Sequence, residues 1–366
     1  MRIIKLFTVI LSSGITCSSE QAPQINRVTP RVVLAYVTSW SSVMPDPDYV
    51  THINYAFGQV NESFNGVMID RPNDSRATSE ERLKSIVELK KQKPSLKIML
   101  SIGGWRSGRF SEMAANETNR SAFAADCQRV VRKFGLDGID MDWEYPGSSA
   151  AGISSSPEDT ENFTLLMRDI RKAIGKDKLL TFASAANAGY VDFKAVEPYV
   201  DFVNIMTYDM VTNGSAHHAA LFPSELTGRG RSCEEAVNAH VDAGIPIHKL
   251  TLGMPFYGHG RDSIPASIDY RYIININGAL GFFDRTNSRI VGLGSHTEKW
   301  DEAAKVPYWV DADDKFVLSY ETPKSIALKC EWLKQKGLLG AMYWHYAAND
   351  DAGTLRKAVY NGVMNK

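Results

Sequence analysis

The segment Gly135-Leu136-Asp137-Gly138-Ile139-Asp140-Met141-Asp142-Trp143-Glu144-Tyr145-Pro146 places four carboxylates within eight residues. Extended as a strand, it sends Asp140, Asp142 and Glu144 to one face, about 6 to 7 Å apart per pair of residues, and turns Asp137 and Trp143 to the other. Carboxylates that close cannot all ionise freely, so protons are shared and at least one pKa rises toward neutral pH. A carboxyl group in that state serves as a general acid, and Glu144, at the C-terminal end of the row, is best placed for the task. Two blander readings compete. Pairing with Arg or Lys inside a core would make the acids structural, yet the neighbouring apolar segments carry no matching set of basic residues. A metal site built from the same acids would draw on histidines at adjacent segment ends, and none matches. CxxC and HExxH are absent, so neither a metal nor another cofactor is expected.

A row of acids needs a rigid frame. Eight short runs rich in β-branched and aromatic residues recur with helical stretches between them, the pattern of βα units and a parallel sheet. They are Arg31 to Trp40, His52 to Gly58, Lys97 to Trp105, Leu136 to Glu144, Leu179 to Ala186, Asp201 to Asp209, Lys249 to Gly258 and Leu338 to Tyr346. Amphipathic periodicity predicts helices over Ser79 to Gln92, Asn119 to Phe134, Pro157 to Ile174, Cys233 to Ala243, Pro323 to Lys336 and Asp350 to Gly362. Ser79 and Thr118 read as N-caps, and Pro157 and Pro323 as first-turn residues. Ser41 to Thr51 is too short and Pro-rich for a crossover helix, so the first helix should be stunted. The expected fold is α/β, a TIM (β/α)8 barrel with a small α+β insertion between strands 7 and 8, at residues 259–322. Such barrels take about 250 residues, and the lobe, a leader and a linker account for most of the rest of the 366. The chemistry would then sit at the C-terminal ends of the strands.

The predicted organisation is a signal peptide over 1–17, a polar linker over 18–28 and the barrel over 29–366. Met1-Arg2-Ile3-Ile4-Lys5 followed by Leu6 to Leu11 is a short basic and then apolar stretch, the pattern of a secretory leader. Cys17, after Gly14-Ile15-Thr16, resembles the lipobox of bacterial lipoproteins, so an anchor through a lipidated Cys17 competes with a plain signal cut nearby. Six N-x-S/T triplets, at Asn61, Asn73, Asn116, Asn119, Asn162 and Asn213, are glycan acceptors only in a eukaryotic chain, so they compete with the lipobox, and chance alone gives a few such triplets. Cys127, Cys233 and Cys330 lie in separate helical stretches and read as buried thiols. Forty-one Lys and Arg nearly cancel forty-two Asp and Glu, so no summed field would draw in a nucleic acid.

Asp137, Asp140, Asp142 and Glu144, spaced DxxDxDxE and followed by Tyr145-Pro146, resemble the signature of glycoside hydrolase family 18, the chitinases. Ser101-Ile102-Gly103-Gly104-Trp105 is similar to its SxGG stretch and Asn54-Tyr55-Ala56-Phe57 to its second strand. Met206-Thr207-Tyr208-Asp209 resembles its MxYD, and Met254-Pro255-Phe256-Tyr257-Gly258 and Met342-Tyr343-Trp344 its last two strand ends. The resemblance implies retaining, substrate-assisted hydrolysis of β-1,4-linked N-acetylglucosamine chains, with chitin or chitooligosaccharides as the partner. It implies that Glu144 is the acid and base, that Asp142 holds the acetamido N–H, and that Asp140 shares a proton with Asp142. Tyr208 would orient the acetamido oxygen and Asp209 would bind the flanking sugars. Trp344 is expected as the floor beneath the sugar being cut, because pyranose C–H faces pack well on indole. Trp105, Phe57, Tyr36, Tyr257 and Met206 are further expected contacts, and Asp137, out of phase with the inward face, a supporting hydrogen-bonding residue.

The chain departs from the pattern where many members have Arg after PxYG: here His259 follows and Arg261 stands two positions later. His345-Tyr346 follows Trp344, where an acid is common in bacterial members. An endo-β-N-acetylglucosaminidase cutting N-glycan chitobiose cores is an alternative on the same fold, and a non-catalytic chitin-binding lectin another. The oligomeric state is not legible.

Overall fold

The computed structural model describes residues 31–69, 79–211, 216–262, 264–276, 279–284, 287–292 and 296–365. Cys17, Asn73 and Asn213 lie outside the described residues. Eight parallel strands close on themselves: β1 (Val32–Thr38), β2 (His52–Val60), β3 (Lys97–Gly103), β4 (Gly138–Asp142), β5 (Leu179–Ala185), β6 (Phe202–Met206), β7 (Leu250–Pro255) and β8 (Gly340–Trp344). β1 pairs with both β2 and β8, which completes the ring. Alternation splits each strand between two environments. In β4, Ile139 and Met141 face the apolar layer beneath the helices, while Asp140 is buried with Ser101, Thr181, Asn204 and Thr251.

The helices are α1 (Ser79–Val87), α2 (Phe110–Ala115), α3 (Glu117–Phe134), α4 (Asp159–Ile174), α5 (Phe193–Val196), α6 (Cys233–Asp242), α7 (Pro323–Lys336) and α8 (Thr354–Met364). Between β1 and β2 the chain makes only a 3-10 turn over Pro47–Tyr49, the stunted helix expected there. At α7 the expected start holds, with Pro323 in the first turn behind a reciprocal Thr322–Ser325 cap. Three predicted starts differ. α2 runs almost directly into α3, so the extended residue between them, Asn116, is the N-cap in place of Thr118, and its side chain accepts from Asn119 N at 3.0 Å. Pro157 lies ahead of α4, which begins at Asp159, where a buried carboxylate accepts from Ser156 N (2.8 Å), Gly147 N (3.1 Å) and Ser111 Oγ (2.7 Å). Ser79 is the first residue of α1 and not the residue before it.

The segment between β7 and α7 folds as a five-stranded antiparallel sheet, ordered Ile268–Asp269, Tyr257–Gly260, Phe316–Ser319, Val306–Val310, Thr297–Asp301. A three-stranded sheet of Ile273–Ile276, Ala279–Asp284 and Arg289–Gly292 accompanies it, with a 3-10 turn over Tyr270–Tyr272. Its first strand starts two residues after β7 ends, so the lobe rises from the rim where the acids emerge. Cys127, Cys233 and Cys330 are buried free thiols.

Candidate active site

The floor of the site is built inside the barrel. Asp140 Oδ2 accepts from Tyr36 OH (2.9 Å) and Ser101 Oγ (2.8 Å), and Oδ1 accepts from Thr181 Oγ1 (2.5 Å) and Asn204 Nδ2 (3.1 Å). β1, β3, β5 and β6 each send one donor. Thr251 of β7 donates to Asn204 Oδ1 at 2.7 Å, which aims the amide nitrogen at Asp140. These four partners are hydroxyls and an amide, not the Arg or Lys of a structural ion pair. Burial pushes the Asp140 pKa up, and the four hydrogen bonds pull against it. Tyr36→Phe should remove one of them and lower stability by about 1 to 2 kcal/mol, read as a lower denaturant midpoint at unchanged m value.

Asp142 stands one pleat higher, 4% exposed, and its Oδ1 has no hydrogen-bond partner. Burial first, then the neighbouring Glu144 and Asp140, push its pKa well above the ordinary carboxylate range. Glu144 lies two residues past the end of β4, where the sequence predicted strand. The last register pair is Gly103 with Asp142, and Asp142 O accepts from Gly104 N at 2.9 Å, so the ladder stops there. A Cβ on Gly103 would stand 2.0 Å from Asp142 O, and one on Gly104 2.7 Å from the Phe57 ring, which is why two glycines end β3. Burial lifts Glu144 to about 7, with the Asp209 charge adding and a hydrogen bond from Tyr145 opposing.

Tyr208 follows β6, and burial, then the Asp142 and Glu144 charges, raise its phenol and keep it a neutral donor. Asp209 takes a left-handed turn at φ 56°. Desolvation by the protein around it pushes its pKa up, but the approach of His218, a hydrogen bond with Tyr257 and the nearby His259 outweigh that and hold it below the ordinary range. One ionised acid thus faces a carboxyl group poised near neutrality.

These groups open into a cavity of about 590 Å³, within the size range of ligand sites. Asp142, Glu144, Tyr208, Asp209, Trp344, Trp105, Tyr257, Met206, Tyr36 and Phe57 all line it, and Asp140 lies beneath. Asp137 does not join them. It precedes β4 at the opposite end of the strand, paired with Lys90 at 2.7 Å and accepting from Ile98 N at 2.8 Å. Trp143 points outward and stacks on Phe110 at 5.3 Å. Trp344 ends β8 and stacks near Phe57 (5.5 Å, 21°), with Tyr36 and Trp40 tilted against it at 5.8 and 6.3 Å. Trp344→Ala should raise about tenfold the Kd of a ligand that lays an apolar ring face on this indole, through lost packing, measured by calorimetric titration.

Sequence reasoning missed Tyr145, Asn187, Tyr190 and Arg231, which also line the cavity. Tyr145 stacks on Tyr190 at 4.6 Å and 9°, with exposed Trp105 at 6.5 Å from Tyr145. Tyr145 follows Glu144 directly and was findable from that adjacency, whereas Tyr190 sits in a loop without a pattern. Arg261, two positions past the place where many members of the family carry Arg, lies over the Phe316 ring of the lobe at 5.3 Å. Among the described residues no group of three or more His, Cys, Asp or Glu could hold a metal ion.

Residues 32–349 match the sequence model of glycosyl hydrolases family 18. Chitinase A1 of Niallia circulans is 32% identical over 86% of this chain, which spans 55% of that relative's length. Chitotriosidase-1 of Mus musculus is 31% identical over 88% of this chain and 74% of its own. A family 18 N-acetylglucosaminidase structure from Paenibacillus barengoltzii is 33% identical, with a TM-score of 0.75 over 91% of this chain and 99% of that one.

Proposed function

Because the chain belongs to glycosyl hydrolases family 18, we propose that it hydrolyses β-1,4-linked N-acetylglucosamine polymers or oligomers with retention, by substrate assistance. The observation that carries this reading is Glu144, a carboxyl group lifted to about 7 and facing an aromatic-lined cleft. Glu144 gives its proton to the glycosidic oxygen as the C1–O bond breaks, while the sugar's own acetamido oxygen attacks C1 and forms an oxazolinium ion. The resulting Glu144 carboxylate then takes a proton from the water that attacks C1 from the opposite face.

The other groups have defined work in that sequence. Asp142 Oδ1, without a partner among the protein's own groups, accepts from the acetamido N–H and stabilises the cation. Asp140, held by four donors around it, shares the proton of Asp142. Tyr208 donates to the acetamido oxygen and orients its attack, and Asp209 binds the sugars flanking the cut. Trp344, with Phe57 and Tyr36, supports the apolar face of the pyranose, and Trp105, Met206 and Tyr257 close the walls. A neutral acetylated sugar offers no charge to match, which agrees with a net charge of −1 for the whole chain.

The test compares wild-type hydrolysis of a chromogenic chitobiose conjugate, a chitin polymer and a high-mannose glycoprotein. Cleavage of the first two supports the reading. Cleavage of the glycoprotein alone would make the protein an endo-β-N-acetylglucosaminidase, and binding of chitooligosaccharides without turnover would make it a lectin. The likeness to a protein described as an N-acetylglucosaminidase favours release of single sugars as a second reading, and product chromatography decides it.

The leader over residues 1–17 serves, in this proposal, as an export signal: cut just ahead of Cys17 it leaves that residue as a lipid anchor that holds the barrel at the cell surface, and cut as a plain signal it releases the barrel. Among the described residues no helix is long and apolar enough to cross a membrane. Cys17→Ala should move the protein from the detergent phase to the aqueous phase on Triton X-114 partition, and unchanged partition would remove the anchor.

A further inference from the structure

The loop after β6 carries a histidine that the reaction as described leaves unused. His218 is fully buried, and neither ring nitrogen has a hydrogen-bond partner. Buried polar atoms are rarely left unpaired, so such a ring calls for a function. Its Nδ1 lies 3.8 Å from Asp209 Oδ1. The ring packs against Tyr257 at 5.2 Å and His259 at 5.9 Å.

That placement is built by the surrounding chain. His218 N donates to Ser319 Oγ at 3.1 Å, and Met210 N, next to Asp209, donates to His218 O at 3.1 Å. On one side, His217 Nε2 lies 3.1 Å from Asp301. On the other, Ala219 O accepts from Lys329, which is buried and paired with Glu321. Cys233 N donates to Ala220 O at 2.8 Å, and Leu221 N to Ala304 O at 2.9 Å. The loop is therefore tied to α6, α7 and the lobe, and the ring is fixed behind Asp209. Asp209 in turn opens into the cleft, with more than half of its side chain exposed, and its charge acts on Glu144.

We propose that His218 is a positioning residue of the hydrolytic site: from behind the cleft wall its Nδ1–H holds the Asp209 carboxylate in place beside Glu144. His218 touches no substrate and acts only through Asp209. Donor and acceptor stand 3.8 Å apart, and such bonds tighten when substrate fills a site. The assignment rests on the hydrolase reading above. Around Asp209 the titratable groups are Tyr208 just after β6, Tyr257 and His259 on the first lobe strand, His218, and Glu144 across the cleft. Around His218 they are Asp209, Tyr257 and His259, and Arg261 in turn acts on His259.

The sign follows from Asp209, which lies below the ordinary carboxylate range. Loss of a donor raises it, so the carboxylate protonates at a higher pH and stops acting on Glu144. Two variants separate donation at Nδ1 from mere occupancy. His218→Asn places an amide N–H near Nδ1, and His218→Gln places one near Nε2. By 13C NMR of labelled aspartates, with the Asp209 signal assigned through its loss in Asp209→Asn, the Gln variant should titrate about 0.5 to 1 pH unit higher than wild type. The Asn variant should follow wild type. The acid limb of kcat/KM on a chromogenic chitooligosaccharide should move with the titration, and kcat should fall more than KM changes. A Gln variant that overlays wild type, or an Asn variant displaced as far as Gln, overturns the assignment, and His218→Leu replaces a Gln variant that does not fold. The titration needs no turnover, so a wild type that hydrolyses nothing refutes the hydrolase reading while the His218–Asp209 coupling is judged separately.

Discussion

Glu144→Gln should lower kcat on a chitooligosaccharide by about 10³- to 10⁴-fold, the upper part of the range for removing a general acid–base group, with KM nearly unchanged. Gln has the same shape and is neutral, so the pocket that lifts the acid accepts it without strain. What disappears is the proton for the leaving oxygen and, in the second step, the base for water. The pH dependence carries the same signature. Because the Glu144 pKa is raised to about 7, its acidic form is present below that pH, and wild-type kcat/KM should fall as pH rises through it. That limb belongs to the coupled carboxylates rather than to one residue. In Glu144→Gln the residual rate should lose it. A variant retaining a tenth of wild-type kcat would remove Glu144 from the chemistry.

Asp142→Asn should give the second largest loss, about 10²- to 10³-fold in kcat, comparable with removal of a group that stabilises developing charge. An amide can still receive or offer a hydrogen bond, but it cannot stabilise a cation. The same substitution should raise Tm at neutral pH by about 2 °C. Asp142 is 4% exposed, with its pKa pushed well up by burial and by two neighbouring acids. A carboxyl raised in the folded state contributes stability below its unfolded value near pH 3.9 and loses it as pH rises through the folded value. Asn carries no such penalty, so the gain should be absent near pH 3 and grow upward from about pH 4. Differential scanning calorimetry at pH 3 and pH 7 measures both ends. A variant less stable than wild type at pH 7 would show that the acid is satisfied in the fold and not held there for catalysis.

Much of this was legible in the sequence because period and chemistry coincide. Alternation alone put Asp140 and Asp142 inward and Trp143 outward, and that is where they lie. The eight strands followed from apolar runs of strand length between helical periods. Seven of the eight strand ends were read one to three residues too long, as at Glu144, because side-chain pattern continues after the ladder's last partner is gone, whereas β2 runs two residues past the predicted Gly58. The N-cap at Thr118 and the first-turn place of Pro157 failed for a similar reason: where a helix starts depends on what packs beside it, α2 against α3 in one case and the buried Asp159 carboxylate in the other. Contacts between loops carried no sequence signal at all. Tyr145, past β4, meets Tyr190, past β5, because neighbouring strands end at one rim, and His218 meets Asp209 because the loop they share after β6 folds back on itself.

The most direct measurement is the anomeric form of the first product. Chitotetraose treated with wild-type protein and followed by 1H NMR within minutes, before mutarotation, should release reducing ends in the β configuration, with Glu144→Gln releasing almost none. Early accumulation of the α anomer would contradict retention through the substrate's own acetamido group, and undiminished release by the variant would contradict the role of Glu144.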